Sequence, residues 1–372
     1  MIKNIKQRKL NRVSTEFLIV LLLLLALGTI MIFSASYPYA ISHYSNGYFY
    51  IIKHSIFLAL GIIIMSIMSY IPIKSIKKLS LFYYAFCVLL LVLVLIVGSS
   101  EGVAKRWLII PGTSISFQPS ELMKFGVTLM LAWYFDKTKE KRKNTLNTII
   151  LPGLIVFFSC GLVLVEKHLS GTMIIAFIGL IVVFLSGASI KKMSIYYGVT
   201  ALIGATAFLL TNTYALKRII SFFDTNADIL SDKWQTTQGL YAIGSGGLFG
   251  LGLGNSRQKY SYVSEPQNDF IFSIWCEETG FLGAAILISL FIILIFSGFK
   301  IAINAKDIFS NLVSFGIIIQ IGIQAMLNMA VVTDLIPNTG ISLPFFSYGG
   351  SSLVILLAEM GILLSISRQN HK

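Results

Sequence analysis

Asp269 stands in the run Glu265-Pro266-Gln267-Asn268-Asp269-Phe270-Ile271-Phe272, where a polar segment passes directly into an apolar one. A carboxylate at such a boundary can take a proton from a substrate held at a membrane surface, while Arg257 and Lys259 of the same polar segment hold its phosphates. Asp is also a favoured helix N-cap, so position alone leaves a structural role open. A second charged group lies in Gln118-Pro119-Ser120-Glu121-Leu122-Met123-Lys124, which reads as a helix start, with Pro119 in the first turn and Glu121 beside the positive end of the dipole. Glu121 and Lys124 are three apart, share one face and can pair. Inside an apolar helix such a pair either neutralises itself or meets a substrate, and in both cases it points inward.

The hairpin Glu166-Lys167-His168-Leu169-Ser170-Gly171-Thr172 carries polar groups able to bind an anion or orient a sugar. No second His or Cys lies at metal spacing, so His168 reads as a solvated interfacial residue and no metal is assigned to it. The stretch AIGSGGLFGLGLGN has the glycine density of a phosphate-cradling loop but lacks the strand and helix that give that motif its meaning. Glu277 and Glu278, farther along the helix that Asp269 opens, need partners or water. The small residues of Phe345-Phe346-Ser347-Tyr348-Gly349-Gly350-Ser351-Ser352 suit close helix packing or a groove for a lipid chain.

Membrane helices must position these groups. Of 372 residues, 56% are hydrophobic and 12% charged, against roughly 25% charged in a soluble domain. With about 20 apolar residues per crossing, the apolar runs predict about ten helices: 16–36, 49–71, 79–98, 119–135, 147–165, 170–188, 192–212, 270–298, 309–333 and 345–366. The expected fold is an all-α polytopic membrane protein, a single membrane domain over 1–372 with a long extracytoplasmic loop at about 213–269. The net charge of +13 falls in clusters between apolar runs rather than on one basic face, which argues against nucleic acid. Lys3, Lys6, Arg8, Lys9 and Arg12 precede the first run, and the loops at 72–79, 136–146, 188–193 and 299–308 with the tail hold most of the rest. This bias predicts both termini in the cytoplasm. The first run is too long for a signal peptide and reads as an uncleaved helix. Cys87, Cys160 and Cys276 lie in or beside apolar runs, without disulfide or metal spacing. Any chemistry must draw its energy from the substrate, since no nucleotide-binding fold is apparent.

Several long segments, in order, resemble the SEDS family (shape, elongation, division and sporulation proteins, among them FtsW, RodA and SpoVE). They are KRW, FQPSELMK, QTTQGLYAIGSGGLFGLGLGNSRQKY, EPQNDFIF and GISLPFFSYGGSSL. Ser342 before Leu343 makes the last of these closer to the FtsW and SpoVE branch than to RodA. The resemblance implies a peptidoglycan glycosyltransferase of the cytoplasmic membrane that polymerises lipid II for division or sporulation, with Asp269 as the essential catalytic acid. It matches Glu121 and Lys124 to the family's buried acid and base. Substrate contacts are expected at Lys105, Arg106, Glu121, Lys124, Arg257, Lys259, Glu265 and Ser347. Lys105, Arg106, Arg257 and Lys259 would stabilise the leaving pyrophosphate. A divalent cation could assist, although no ligand cluster marks its place. Expected partners are lipid II, a class B penicillin-binding transpeptidase and other division or sporulation membrane proteins, with no nucleic acid. Two segments depart from the family: the hairpin has Lys167-His168-Leu169-Ser170-Gly171-Thr172 where PDLGT is common, and Gln267-Asn268 stand where many members have His-Thr. No acid in the hairpin and no histidine before Asp269 therefore carries over. A lipid II flippase and a non-catalytic scaffold for the transpeptidase are the competing functions. Polar motifs gathered on the outer face, without the repeats and midplane sites of transporters, favour the enzyme.

Overall fold

In hydrocarbon an unpaired backbone N–H or C=O costs several kcal/mol, so an apolar run satisfies its own backbone by becoming a helix. The computed structural model describes residues 2–101, 104–109, 112, 116–138, 144–211, 216, 220, 222–223, 233–260 and 262–370. Side chains are described from Ser14 onward, save those at 100, 101, 104, 105, 207, 210 and 211. Each of the ten expected runs is a helix. The first seven are α1 (Ile2–Tyr44), α2 (Phe49–Tyr70), α3 (Ile73–Val97), α4 (Pro119–Lys137), α5 (Leu151–Val165, entered through a π-turn at Leu146–Ile150), α6 (Leu169–Leu185) and α7 (Ile190–Thr211). A shorter helix, α8 (Trp234–Ser245), lies in the long polar segment that follows. The last three runs are α9 (Ile271–Ile303), α10 (Ile308–Val332) and α11 (Gly350–Gln369). Among the described residues seven helices are long and apolar enough to cross a membrane, and α6 is a shorter apolar helix.

Hydropathy does not reveal what the connections hold. Between α3 and α4 lie three short antiparallel strands, β1 (Ser99–Glu101), β2 (Ala104–Ile109) and β3 (Ser116–Phe117), in that order.

Helix α4 is buried almost continuously from Pro119 to Leu129, which places its charged first turns inside the bundle. Helices α3, α6 and α10 pack around it. Helix α11 lies against α2 so closely that a Cβ on Gly361 would come within 2.4 Å of the Met65 carbonyl.

Three boundaries differ from the sequence expectation. Helix α1 runs on to Tyr44 through Pro38. Helix α11 starts at Gly350 rather than 345, because Phe345 has φ of 63° and Leu343 N–H donates to Ser347 Oγ (2.7 Å). Helix α9 breaks at Gly280, whose φ of 67° and ψ of −167° suit glycine alone.

Candidate active site

The glycine-rich turn mends the break in α9. Gly247 O accepts from Phe281 N (2.9 Å), and Leu248 O accepts from Leu282 N (3.2 Å). In return Leu251 N donates to Glu277 O (2.9 Å) and Gly252 N to Glu278 O (3.0 Å). Backbones this close exclude side chains: a Cβ on Gly250 would sit 2.2 Å from the Glu278 carbonyl, and one on Gly246 2.1 Å from that of Cys276. Gly246 and Gly250 therefore serve close packing, which corrects the likeness of this stretch to a phosphate cradle.

The same fold-back supplies partners for the two buried glutamates of α9. Glu278 pairs with Lys259 (2.8 Å) and accepts from Ser34 Oγ (2.6 Å). Glu277 accepts from Arg257 N (2.9 Å), Gln258 N (3.3 Å) and the Ser256 hydroxyl. Lys259 is thus a buried structural cation, also bound to Gly254 O (2.7 Å), and not one free to hold phosphates.

Asp269 precedes this helix without capping it. The N-cap is Phe270, and no side chain caps the helix there. Asn328 of α10 holds the local backbone by donating to Asp269 O (2.8 Å) and Ile341 O (2.6 Å). Gly340 has φ of 68°, and a Cβ there would meet Asp269 Oδ2 at 3.3 Å.

Glu121 and Lys124 form the expected pair, 2.7 Å apart and facing inward. Lys124 Nζ also donates to Gln324 Oε1 (3.0 Å), and Gln324 Nε2 donates to Ser342 O (3.1 Å). This chain of contacts joins α4, α10 and the segment before α11. Asp269, Glu121, Lys124 and Glu265 line one cavity of about 610 Å³.

The remaining expected contacts lie elsewhere. Arg257 is exposed, and neither it nor Lys259 lines the cavity. Ser347 is buried as the acceptor for Leu343 N, which stabilises the turn before α11. Arg106 donates to the Lys167 carbonyl and is not a lining residue. The Lys105 side chain lies outside the described residues.

Sequence reasoning misplaced His168 and passed over one lysine of the cavity. Lys53 of α2 lines it, with Nζ 4.2 Å from the centre of the Phe49 ring. Its signal was a lone cation inside an apolar run. His168, expected to be solvated, is buried in the cavity wall, with Nδ1 3.0 Å from both Gln118 Nε2 and Ser120 Oγ. Burial, then the charges of Arg106 and Lys124, hold its imidazole down at about 3. Neighbouring Glu166 is pushed up to about 8 by burial, against the opposing pull of Arg106. Among the described residues no three His, Cys, Asp or Glu side chains gather as a metal site.

The family described as "Cell cycle protein", which groups FtsW, RodA and SpoVE, matches residues 14–372. Stage V sporulation protein E of Bacillus subtilis (strain 168) is 39% identical over 366 residues, covering 97% of this chain and 99% of that protein. A probable peptidoglycan glycosyltransferase FtsW of Geobacter sp. (strain M18) is 34% identical, covering 96% and 98%. Among solved structures, a chain of a peptidoglycan synthase complex has a TM-score of 0.79 at 26% identity, covering 95% of this chain and 97% of that one. The crystal structure of the Thermus thermophilus rod shape determining protein RodA has a TM-score of 0.70 at 27% identity, covering 96% and 97%. With matches this long in both sequence and fold, the chain belongs to the SEDS family of multi-pass membrane proteins, the group of FtsW, RodA and SpoVE.

Proposed function

We propose that this chain is a peptidoglycan glycosyltransferase that polymerises lipid II at the outer face of the cytoplasmic membrane, in division or sporulation. The observation that carries the reading is the convergence of Asp269, Glu121 and Lys124, from segments far apart in the chain, on one cavity. In glycosyl transfer the acceptor hydroxyl attacks the donor's anomeric carbon and loses its proton, while the pyrophosphate departs with the bonding electrons. Asp269 takes the proton. Among the described lining residues Lys53 and Lys124 are the cations, and they stabilise the charge gathering on the leaving group. Glu121 holds Lys124 in place. The pyrophosphate bond supplies the driving force.

The orientation that fits this chemistry has both termini in the cytoplasm and the 213–269 segment outside, within one membrane domain over 1–372. A class B penicillin-binding transpeptidase is the proposed partner, supported by the likeness to a chain of a peptidoglycan synthase complex.

The deciding measurement is glycan-strand formation from lipid II by the purified full chain. Asp269→Asn keeps size and backbone contacts but cannot take the proton, so strand formation should fall by about 10²–10⁴-fold with unchanged thermal stability. Near-normal polymerisation by the folded variant would overturn Asp269 as the base. Passage of lipid II across vesicles without strand formation by the wild type would favour a flippase instead.

A further inference from the structure

His168 enters the cavity wall from the hairpin between α5 and α6. Its Nδ1 faces the Gln118 amide nitrogen and the Ser120 hydroxyl, each at 3.0 Å. An amide nitrogen only donates, so Nδ1 accepts and the ring proton of the neutral imidazole resides on Nε2. Gly171 makes room for the ring, since a Cβ there would lie 2.6 Å from Nδ1. Among the described residues no group hydrogen-bonds Nε2.

The wall that holds His168 is joined to the wall that holds Asp269. Ser170 Oγ donates to the Thr339 carbonyl (2.7 Å), next to Gly340 and its contact with Asp269. Two cations, Lys53 and Lys124, line the same cavity as the ring. Arg106 and Lys124 both act on the imidazole. Glu166 is buried with neither carboxylate oxygen hydrogen-bonded. Its carboxyl, pushed up to about 8 by burial, stays mostly protonated at neutral pH.

Resting on the glycosyltransferase reading, we propose that His168 donates an Nε2–H hydrogen bond to a pyrophosphate oxygen of the lipid-linked donor as the bond to its sugar breaks. The electron pair of the breaking C–O bond goes to the pyrophosphate, the acceptor oxygen forms the new C–O bond, and its proton goes to Asp269. His168 transfers no proton. A neutral imidazole acting as a hydrogen-bond donor is an established catalytic device.

Two substitutions separate the ring's two nitrogens. Asparagine places an acceptor at the Nδ1 position and keeps the bonds from Gln118 and Ser120, whereas glutamine reaches the Nε2 position with an N–H. With lipid II as substrate for the purified full chain, His168→Asn should lower kcat by about 10²-fold, with little change in KM or melting temperature. His168→Gln should recover activity to within about tenfold of wild type. A folded His168→Asn variant within about threefold of wild type overturns the proposal, as does a folded His168→Gln variant no better than His168→Asn.

Nitrogen-15 NMR of the histidine-labelled wild-type chain tests the donor without relying on turnover or on the variants' folding. The expected result is a protonated Nε2 and a bare Nδ1 at neutral pH, with the Nε2 signal shifting on addition of inorganic pyrophosphate. A proton on Nδ1, a charged ring or an unmoved signal overturns the assignment. A wild type that makes no strands yet shows the protonated, pyrophosphate-sensitive Nε2 overturns the glycosyltransferase reading while the anion-donor role stands.

Discussion

Glu166 shows how one residue's surroundings become a pH dependence. Its carboxyl ordinarily titrates near 4.5, and burial pushes it up to about 8. The folded state therefore holds a proton that the unfolded chain releases at lower pH. The resulting stability is fully present below about 4.5 and is lost as pH rises through about 8. Glu166→Gln removes this titration while keeping shape. The variant's melting temperature should equal the wild type's near pH 4.5 and rise progressively above it as pH increases to 8. Melting curves that stay parallel from pH 4.5 to pH 8 would show that Glu166 is not buried as described.

At the scale of elements, the break in α9 determines how the glycine-rich segment is held. The two stretches of helix that meet at Gly280 leave backbone groups unsatisfied there, and the glycine-rich turn satisfies them. Gly280→Ala would force a side chain into a glycine-only conformation, 2.4 Å from the Gly250 nitrogen. The strain alone costs about 1–3 kcal/mol, and the clash adds to it. The measurable outcome is a lower melting temperature and a lower folded yield in detergent. Gly161→Ala in α5, where a Cβ meets nothing within 4 Å, should be neutral or slightly stabilising. Equal behaviour of the two variants would contradict the close packing at the break.

At the scale of the whole molecule, the proposed chemistry requires the cavity to face outward. Arg257 is exposed in the polar segment before α9, and Lys306 is exposed between α9 and α10. In a Cys160→Ser background, which leaves only the buried Cys87 and Cys276, Arg257→Cys should react with a membrane-impermeant maleimide in intact cells. Lys306→Cys should react only after lysis. The reverse pattern would invert the topology and place the cavity on the cytoplasmic side.

Hydropathy was enough to locate all ten helical runs, because the bilayer makes each apolar segment satisfy its backbone locally. The inward pairing of Glu121 with Lys124 was also legible, since a spacing of three fixes a shared face on any helix. The family resemblance singled out Asp269 for its proposed role, but not what surrounds it. The break at Gly280, the burial of Lys259 against Glu278 and the entry of His168 into the cavity all depend on contacts between segments distant in the chain. A lysine among polar neighbours reads the same whether it faces water or a buried carboxylate. Packing alone distinguishes the two, by deciding which partner occupies the space beside it.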